Sequence, residues 1–180
     1  MFIKIAVTAP DAIPNEALSI TEKLRSGEYD ILHLRKPEWD IDRYEKLLRA
    51  IAPDLHPRIV LHEHFDLALR YNVRGIHLNR RFPTLLPGYK GKVSRSCHTI
   101  EEVLVNKRRY DYVFLSPVFD SISKVGYSAA FTPDELTRLG AEGTFQPNVI
   151  ALGGITAERL PQLQSWGFAG AAMLGDVWKD

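Results

Sequence analysis

Eight short apolar segments recur along the chain, and most of them are followed by a segment with the periodicity of an amphipathic helix. The predicted strands cover residues 2–7, 29–34, 58–61, 75–79, 92–97, 112–115, 149–152 and 170–174. The predicted helices cover residues 15–25, 41–52, 66–71, 100–106, 133–139 and 157–166. Strands that alternate with helices favour a parallel sheet, because each crossover helix returns the chain to the starting edge.

Eight parallel strands are the number that closes into a (β/α)8 barrel, also called a TIM barrel. An open doubly wound sheet is the competing fold, but no G-x-G-x-x-G turn follows the first strand. The segment at residues 80–88 contains Pro83 and Pro87, too many prolines for a full helix. After the last strand and Gly175, only residues 176–180 remain. We therefore predict an α/β fold of one domain, residues 1–180, whose eighth helix is short or absent. The apolar surface uncovered by a missing helix favours a homodimer contact.

Net charge and cysteine content exclude several classes of partner and location. The formal net charge is +1, which gives no electrostatic reason to expect a nucleic acid or a membrane surface as partner. The apolar stretch at residues 1–7 is too short for a signal peptide or a spanning helix. The lone cysteine, Cys97, allows no internal disulfide and fits a reducing compartment. We expect a cytoplasmic protein in which Cys97 is buried.

The segment from Val149 to Thr156 predicts an anion site. It reads as a buried strand, a Gly153-Gly154 turn and a threonine that caps a helix starting at Ala157. Free backbone N–H groups at such a turn favour a phosphate group. The last strand ends at Gly175, which would close the other side of the pocket. The alternative is a tight strand-to-helix connection that binds nothing.

Polar side chains gather at the predicted carboxyl ends of the strands, where barrel enzymes have their active sites. These side chains are His33, Arg35, His62, Glu63, His64, His77, Asn79, Ser96, His98 and Ser116. Any one histidine is more simply explained as a hydrogen-bonded residue of the rim, but five at strand ends favour a polar active site. A zinc site is an alternative, in which His62 and His64 on one side of an extended segment are joined by His33 or His98.

Five segments together resemble one family, that of thiamin phosphate synthase and the TenI-type thiazole tautomerase. The matching segments are residues 31–36 (ILHLRK), 75–78 (GIHL), 94–99 (SRSCHT), 111–119 (DYVFLSPVF) and 149–156 (VIALGGIT). The resemblance implies a TIM barrel, usually dimeric, that handles a thiazole phosphate. In the synthase, a pyrimidine pyrophosphate loses pyrophosphate with help from Mg²⁺, and the thiazole nitrogen attacks the electron-poor methylene carbon.

The resemblance also implies which residues do the chemistry. The catalytic residues carried over are His33, Arg35, Ser96 and Lys124. The family's Gln-x-Arg-x-Lys motif corresponds to His33, Arg35 and Pro37, so the arginine is kept and the lysine is lost. In its place, we expect the neighbouring Lys36 to reach into the barrel mouth.

Further residues carried over concern the substrate and the metal ion. The substrate-binding residues are His62, His98, Ser121, Ser123, Gly153, Gly154 and Gly175. Of the two Mg²⁺-binding acids, one corresponds to Glu63 and the other to Phe82, which has no ligand atom. Arg80 and Arg81 precede Phe82 and bring positive charge to the place of a cation.

The tautomerase branch offers an alternative function. It uses a histidine just after the sixth strand as its acid–base group, whereas this chain has Pro117 there. His33, His62 or His98 would have to take over the proton transfer. A non-catalytic protein that binds thiazole phosphate is a third alternative. Because Arg35, Ser96 and Lys124 are kept, we favour the synthase activity, with pyrimidine pyrophosphate and thiazole phosphate as substrates.

Overall fold

Eight parallel strands close into a barrel in sequence order, as the alternation of strands and helices predicted. The structure is a computed structural model that describes residues 1–120 and 130–178. The strands are β1 Ile3–Val7, β2 Ile31–Leu34, β3 Ile59–Leu61, β4 Gly75–Leu78, β5 Lys92–Cys97, β6 Tyr112–Leu115, β7 Val149–Leu152 and β8 Gly170–Met173. The helices are α1 Glu16–Arg25, α2 Ile41–Ala50, α3 Ile100–Asn106, α4 Pro133–Ala141 and α5 Leu160–Ser165.

Alternate residues of each strand face the barrel interior and the helices, which divides the apolar residues into two clusters. The interior cluster includes Ile5, Val7, Ile31, Val60, Phe114 and Ile150. The outer cluster includes the intervening strand residues Ala6, Leu32, Leu34, Leu61 and Leu115, packed against helix residues such as Leu24, Leu48 and Val103. Cys97 belongs to the outer cluster and is buried, as predicted.

Among the described residues, the ring of helices is incomplete after β3, after β4 and after β8. The predicted helix 66–71 is a short 3-10 helix at Phe65–Leu69, and residues 79–91 contain no helix. After β8, residues 174–178 form only turns, and the indole Nε1 of Trp178 donates a hydrogen bond to the carbonyl of Val7 at 2.7 Å. Within residues 1–120 and 130–178, no helix is long and apolar enough to cross a lipid bilayer.

A buried ion pair ties the loop between β1 and α1 to the end of β2. The Lys36 ammonium donates to both carboxylate oxygens of Glu16, at 2.6 and 2.8 Å, and to the carbonyls of Ala9 and Asp11, at 2.7 Å each. Burial lowers the pKa of Lys36 and raises that of Glu16. The expectation that Lys36 reaches into the barrel mouth is therefore wrong, because its ammonium is fully engaged elsewhere.

Replacing Lys36 by methionine should strongly destabilise the barrel, because it leaves the Glu16 carboxylate buried without its partner. We expect the free energy of unfolding in urea to fall by about 3–5 kcal/mol. The matched control is Lys23→Met, which breaks the exposed pair between Lys23 and Glu28 at 3.2 Å and should cost less than about 1 kcal/mol. Equal losses for the two variants would contradict this assignment.

Candidate active site

A cavity of about 550 Å³ opens at the carboxyl ends of the strands. This size suits one or two small molecules. Its lining comprises Val7, Arg35, His62, Glu63, Asn79, Arg80, Arg81, Ser96, His98, Phe114, Ser116, Leu152 and Leu174. Because five of the eight strands or the turns after them contribute polar side chains predicted to meet there, we treat this mouth cavity as the candidate active site.

A larger groove, of about 740 Å³, lies between α1 and α2 on the outside of the barrel. Its lining includes the apolar residues Leu18, Leu47 and Trp39. None of the strand-end residues predicted for catalysis lines it. Volume alone therefore does not select the site, and the chemistry of the side chains favours the mouth cavity.

Arg35 stands at the end of β2 and is held in place through its backbone. The Thr8 hydroxyl donates to the Arg35 carbonyl at 2.9 Å and accepts from the Arg35 N–H at 2.8 Å. Thr8 is fully buried, so this clamp between the ends of β1 and β2 is shielded from water. The Arg35 guanidinium lines the cavity and makes no ion pair with the described residues. The structure thus brings Arg35 to the mouth, as predicted.

Arg80 and Arg81 lie in a closed turn directly after β4. The Asn79 side-chain oxygen accepts hydrogen bonds from the N–H groups of Arg81 and Phe82, at 2.9 and 3.1 Å. The Asn79 N–H in turn donates to the Phe82 carbonyl at 3.1 Å. This local network is typical of an Asx turn and fixes both arginines at the mouth. The Phe82 ring packs edge-on against Phe65, with centroids 5.9 Å apart.

Glu63 is the single carboxylate residue that lines the mouth cavity in the described part of the chain. One of its oxygens, Oε2, already accepts the Lys36 N–H at 2.9 Å. Burial raises the pKa of Glu63, and nearby Arg35 and Arg81 lower it less strongly. Mg²⁺ usually requires one or two carboxylates plus phosphate or water oxygens. With Phe82 in the second position and arginines around the first, these residues fit Mg²⁺ poorly.

Three histidines form a polar layer beneath the cavity. His33 Nδ1 is 2.8 Å from His62 Nε2, and His33 Nε2 is 2.6 Å from the Tyr112 hydroxyl. The rings of His62 and His77 stack with centroids 4.3 Å apart. One nitrogen of each of these three histidines lies within 4.8 Å of the others, but both nitrogens of His33 are engaged in hydrogen bonds.

This layer changes the role of His33. The residue is fully buried and does not line the cavity, whereas His62 does. His33 does not reach the mouth with the other strand-end residues, because it lies within β2 and points to the barrel interior. Its predicted catalytic role stays a prediction. Burial lowers the pKa of His33 and His62 well below the usual value and that of His77 to about 3. These imidazoles are neutral near pH 7, so His62 is a weak base.

The alternative of a zinc site, in which His62 and His64 lie on one side of an extended segment with His33 or His98, does not match the position of His64. His64 has a left-handed backbone with φ of 50°, and its Nε2 contacts the Trp39 carbonyl at 2.9 Å. The two rings therefore leave the chain in different directions. His64 takes no part in the mouth cavity.

Ser96 and His98 reach the cavity from the end of β5. The Ser96 hydroxyl is 2.8 Å from His77 Nε2, so it links the histidine layer to the mouth. His98 Nδ1 is 3.0 Å from the Ser116 carbonyl, which follows β6. Both predicted residues therefore line the site. Ser121, Ser123 and Lys124 lie outside the described residues, so their predicted roles stay predictions.

The glycine turn after β7 lies beside the mouth cavity rather than in its lining. Gly153 and Gly154 have φ of +102° and +61°, and a Cβ on Gly154 would lie 2.1 Å from the Asp120 carbonyl oxygen. Thr156 makes no capping hydrogen bond with its side chain. Instead, the Ala157 N–H donates to the Asp176 carboxylate at 3.2 Å, which joins the turns after β7 and β8. Gly175 precedes this carboxylate, and neighbouring Leu152 and Leu174 line the cavity.

Three residues that build the site escaped prediction: Thr8, Ser94 and Tyr112. Thr8 fixes Arg35, and Tyr112 is paired with His33 from a position 79 residues away. The Ser94 hydroxyl is 2.8 Å from His77 Nδ1. The alternation of side chains along a strand predicts an inward position for Ser94 and Tyr112. Ser94 lies two residues before the predicted site residue Ser96, and Tyr112 lies two residues before the interior residue Phe114.

Comparison with known proteins gives one consistent result. A family model described as thiamine monophosphate synthase matches residues 5–177. A thiamine-phosphate synthase of Latilactobacillus sakei is 29% identical over 145 residues, which make up 74% of this chain and 62% of that protein. One of Halalkalibacterium halodurans is 24% identical over 182 residues, covering 96% of this chain and 85% of that protein. The crystal structure of a thiamine phosphate pyrophosphorylase from Bacteroides thetaiotaomicron matches with a TM-score of 0.85 and 43% identity, covering 99% of this chain and 85% of that one.

Acid should destabilise the barrel through its neutral histidines. Unfolded histidines take up protons below about pH 6.5, whereas His77 stays neutral in the fold down to about pH 3. The unfolded chain thus binds more protons, and stability falls with falling pH between these two values. Below about pH 6, His77 should contribute a loss of about 1.4 kcal/mol per pH unit.

The measurement is urea unfolding of the wild type and His77→Gln at pH 7, 6 and 5. Subtracting the two curves removes the opposite contribution of Glu16 and Glu63, whose pKa values are raised by burial. The variant should lose stability more slowly than the wild type as the pH falls. Parallel curves would show that His77 is not held neutral.

Proposed function

The chain belongs to the thiamine monophosphate synthase family, and on this premise we propose that it joins hydroxymethylpyrimidine pyrophosphate to thiazole phosphate. The products are thiamin phosphate and pyrophosphate, so the enzyme is a transferase. The observation that supports the proposal most is Arg35, which the buried Thr8 clamp holds at the mouth cavity. A guanidinium group offers paired N–H donors that match two phosphate oxygens.

The reaction makes two physical demands on the site. When the methylene C–O bond breaks, the electron pair leaves with the pyrophosphate, whose added negative charge must be stabilised. The lone pair of the thiazole nitrogen then forms the new C–N bond. The second substrate must therefore be held in a fixed orientation. The mouth cavity, of about 550 Å³, is large enough to hold both reacting centres.

The described residues divide into two sides of the cavity. Arg35, Arg80 and Arg81 come from the turns after β2 and β4 and provide the positive charge for pyrophosphate. Ser96, near the end of β5, and His98, just after it, offer hydrogen bonds to the organic part of a substrate. The glycine turn after β7 is proposed to hold the thiazole phosphate, as is Gly175. Lys124 keeps its proposed role on pyrophosphate.

The tautomerase alternative finds less support in the site. A proton transfer requires a group whose pKa lies near the working pH. His62 lines the cavity, but burial keeps its pKa well below 6.5, and Pro117 occupies the position of the tautomerase histidine. We therefore propose the synthase reaction alone.

A homodimer and a cytoplasmic location belong to the same proposal. Exposed apolar side chains such as Leu69, Leu104 and Val105 on the outer surface support a contact between two copies. The single cysteine supports a reducing compartment. Size-exclusion chromatography with light scattering would decide between a monomer and a dimer.

Turnover with pyrimidine pyrophosphate and thiazole phosphate tests the proposed function. Thiamin phosphate, oxidised to its fluorescent product, should form above background with the wild type. Arg35→Ala should lower kcat/KM by about 100-fold or more, because the developing charge loses a fixed guanidinium. Arg25→Ala is the matched control, since Arg25 pairs with Asp54 on the outer surface at 3.4 Å. Absence of product from folded wild-type protein would refute the synthase activity.

Gly154→Ala should weaken binding of thiazole phosphate by about tenfold or more, since the new Cβ would displace the turn from Asp120. Gly27→Ala is a control matched for backbone strain, because Gly27 has φ of +74° and open space around it. Gly27→Ala should lose about 1 kcal/mol of stability through its positive φ alone, and Gly154→Ala should lose more because its Cβ also overlaps the Asp120 carbonyl. Only Gly154→Ala should lose affinity. Unchanged calorimetric affinity of Gly154→Ala would remove the glycine turn from the phosphate site.

A further inference from the structure

Positive charge outweighs negative charge on one side of the mouth cavity. Arg35, Arg80 and Arg81 line this side, and Glu63 is the one carboxylate residue among the described lining. Arg35 follows β2 and the other two arginines follow β4, so the guanidinium groups approach from two different strands. A ligand with several negative charges would balance this arrangement, whereas a lone cation would be repelled.

These guanidinium groups are available for a ligand. Neither Arg35 nor Arg80 makes an ion pair with the residues that the structure describes. Arg81 is 3.1 Å from Glu38, but both side chains are largely exposed on the rim. Such a pair contributes less than about 1 kcal/mol, so a phosphate group can displace it.

The backbone of the turn that carries Arg80 and Arg81 is fixed by hydrogen bonds within the turn itself. Its backbone is held by the three hydrogen bonds between Asn79 and the segment up to Phe82. A fixed backbone lowers the conformational entropy that is lost when the two side chains grip an anion. The adjacent Phe82 ring leans on Phe65 and offers no ligand atom to a metal.

We infer that Arg80 and Arg81, together with Arg35, hold the pyrophosphate group in this protein and replace the divalent metal ion of its relatives. The inference rests on the proposed function, because it names the group that stabilises the leaving pyrophosphate of that reaction. Three guanidinium groups supply three positive charges, more than one divalent ion does. Arginine also forms paired hydrogen bonds to phosphate oxygens, which fix the orientation of the departing group.

The first experiment is calorimetric titration of the full chain with inorganic pyrophosphate in excess EDTA. The wild type should bind, and Arg80→Ala/Arg81→Ala should bind at least about tenfold more weakly. Arg70→Ala is the control, because Arg70 pairs with Glu45 on the outer surface at 3.2 Å and should leave the affinity unchanged. Both arginines of the double variant are exposed, so circular dichroism should show an intact fold.

Three results would overturn the inference: no binding of pyrophosphate in EDTA, binding only after Mg²⁺ is added, or equal affinity of the wild type and the double variant. A second variant tests the same idea in reverse. Phe82→Asp in the background of Arg80→Ala/Arg81→Ala restores a carboxylate at the position that the family resemblance assigns to the second Mg²⁺-binding acid, so pyrophosphate binding should then require Mg²⁺. A triple variant whose binding is indifferent to Mg²⁺ would also count against the inference.

Failure of the inference and failure of the proposed function give different results. If pyrophosphate binds in EDTA but no thiamin phosphate forms, the arginine site stands and the synthase activity falls. If thiamin phosphate forms only with Mg²⁺ and the double variant keeps full turnover, the synthase activity stands and the arginine site falls.

Discussion

Closing eight parallel strands into a ring sends every second side chain into a volume too small for bulk water. Most of this chain's interior is filled by aliphatic residues, but one layer contains His33, His62 and His77. Buried polar atoms are costly unless they are paired. Tyr112, Ser94 and Ser96 supply the partners. Because these partners lie on other strands, the hydrogen bonds form only in the observed strand register and help to stabilise it. The floor of the mouth cavity is therefore rigid and uncharged.

Above that floor, the charge of the mouth is set by backbone contacts rather than by ion pairs. Thr8 fixes Arg35, and Asn79 fixes the turn of Arg80 and Arg81. In both cases, a short polar side chain satisfies backbone groups, and the guanidinium groups of Arg35 and Arg80 make no ion pair with the described residues. In the buried pair of Lys36 and Glu16, by contrast, the two charges neutralise each other and hold the loop between β1 and α1. Arg35, which lines the cavity, and Lys36, which is buried in an ion pair, are therefore neighbours in the chain with different roles.

The sequence predicted the barrel because each strand is a short apolar run with a helix or a turn after it. It also predicted the arginines and serines that stand just beyond the strand ends. It failed for His33, which was placed at the mouth although its position in β2 directs it inward. Contacts such as His33 with Tyr112 depend on the register of strands that are distant in sequence, and no local pattern encodes them. In place of the predicted helix at 66–71 the chain forms a 3-10 helix at Phe65–Leu69, which follows His64 in a left-handed backbone conformation.

Tyr112, His33 and His62 are linked by two hydrogen bonds, which must both run in the same direction along this chain of three residues. A neutral imidazole has one donor and one acceptor nitrogen, so each ring must accept on one side if it donates on the other. If the tyrosine hydroxyl donates to His33, then His33 donates to His62, whose second nitrogen is left as a donor. If the tyrosine accepts, all the bonds reverse and that nitrogen becomes an acceptor. The tautomer of His33, which is set by its bond to Tyr112, thereby determines whether His62 donates or accepts a hydrogen bond at the floor of the cavity.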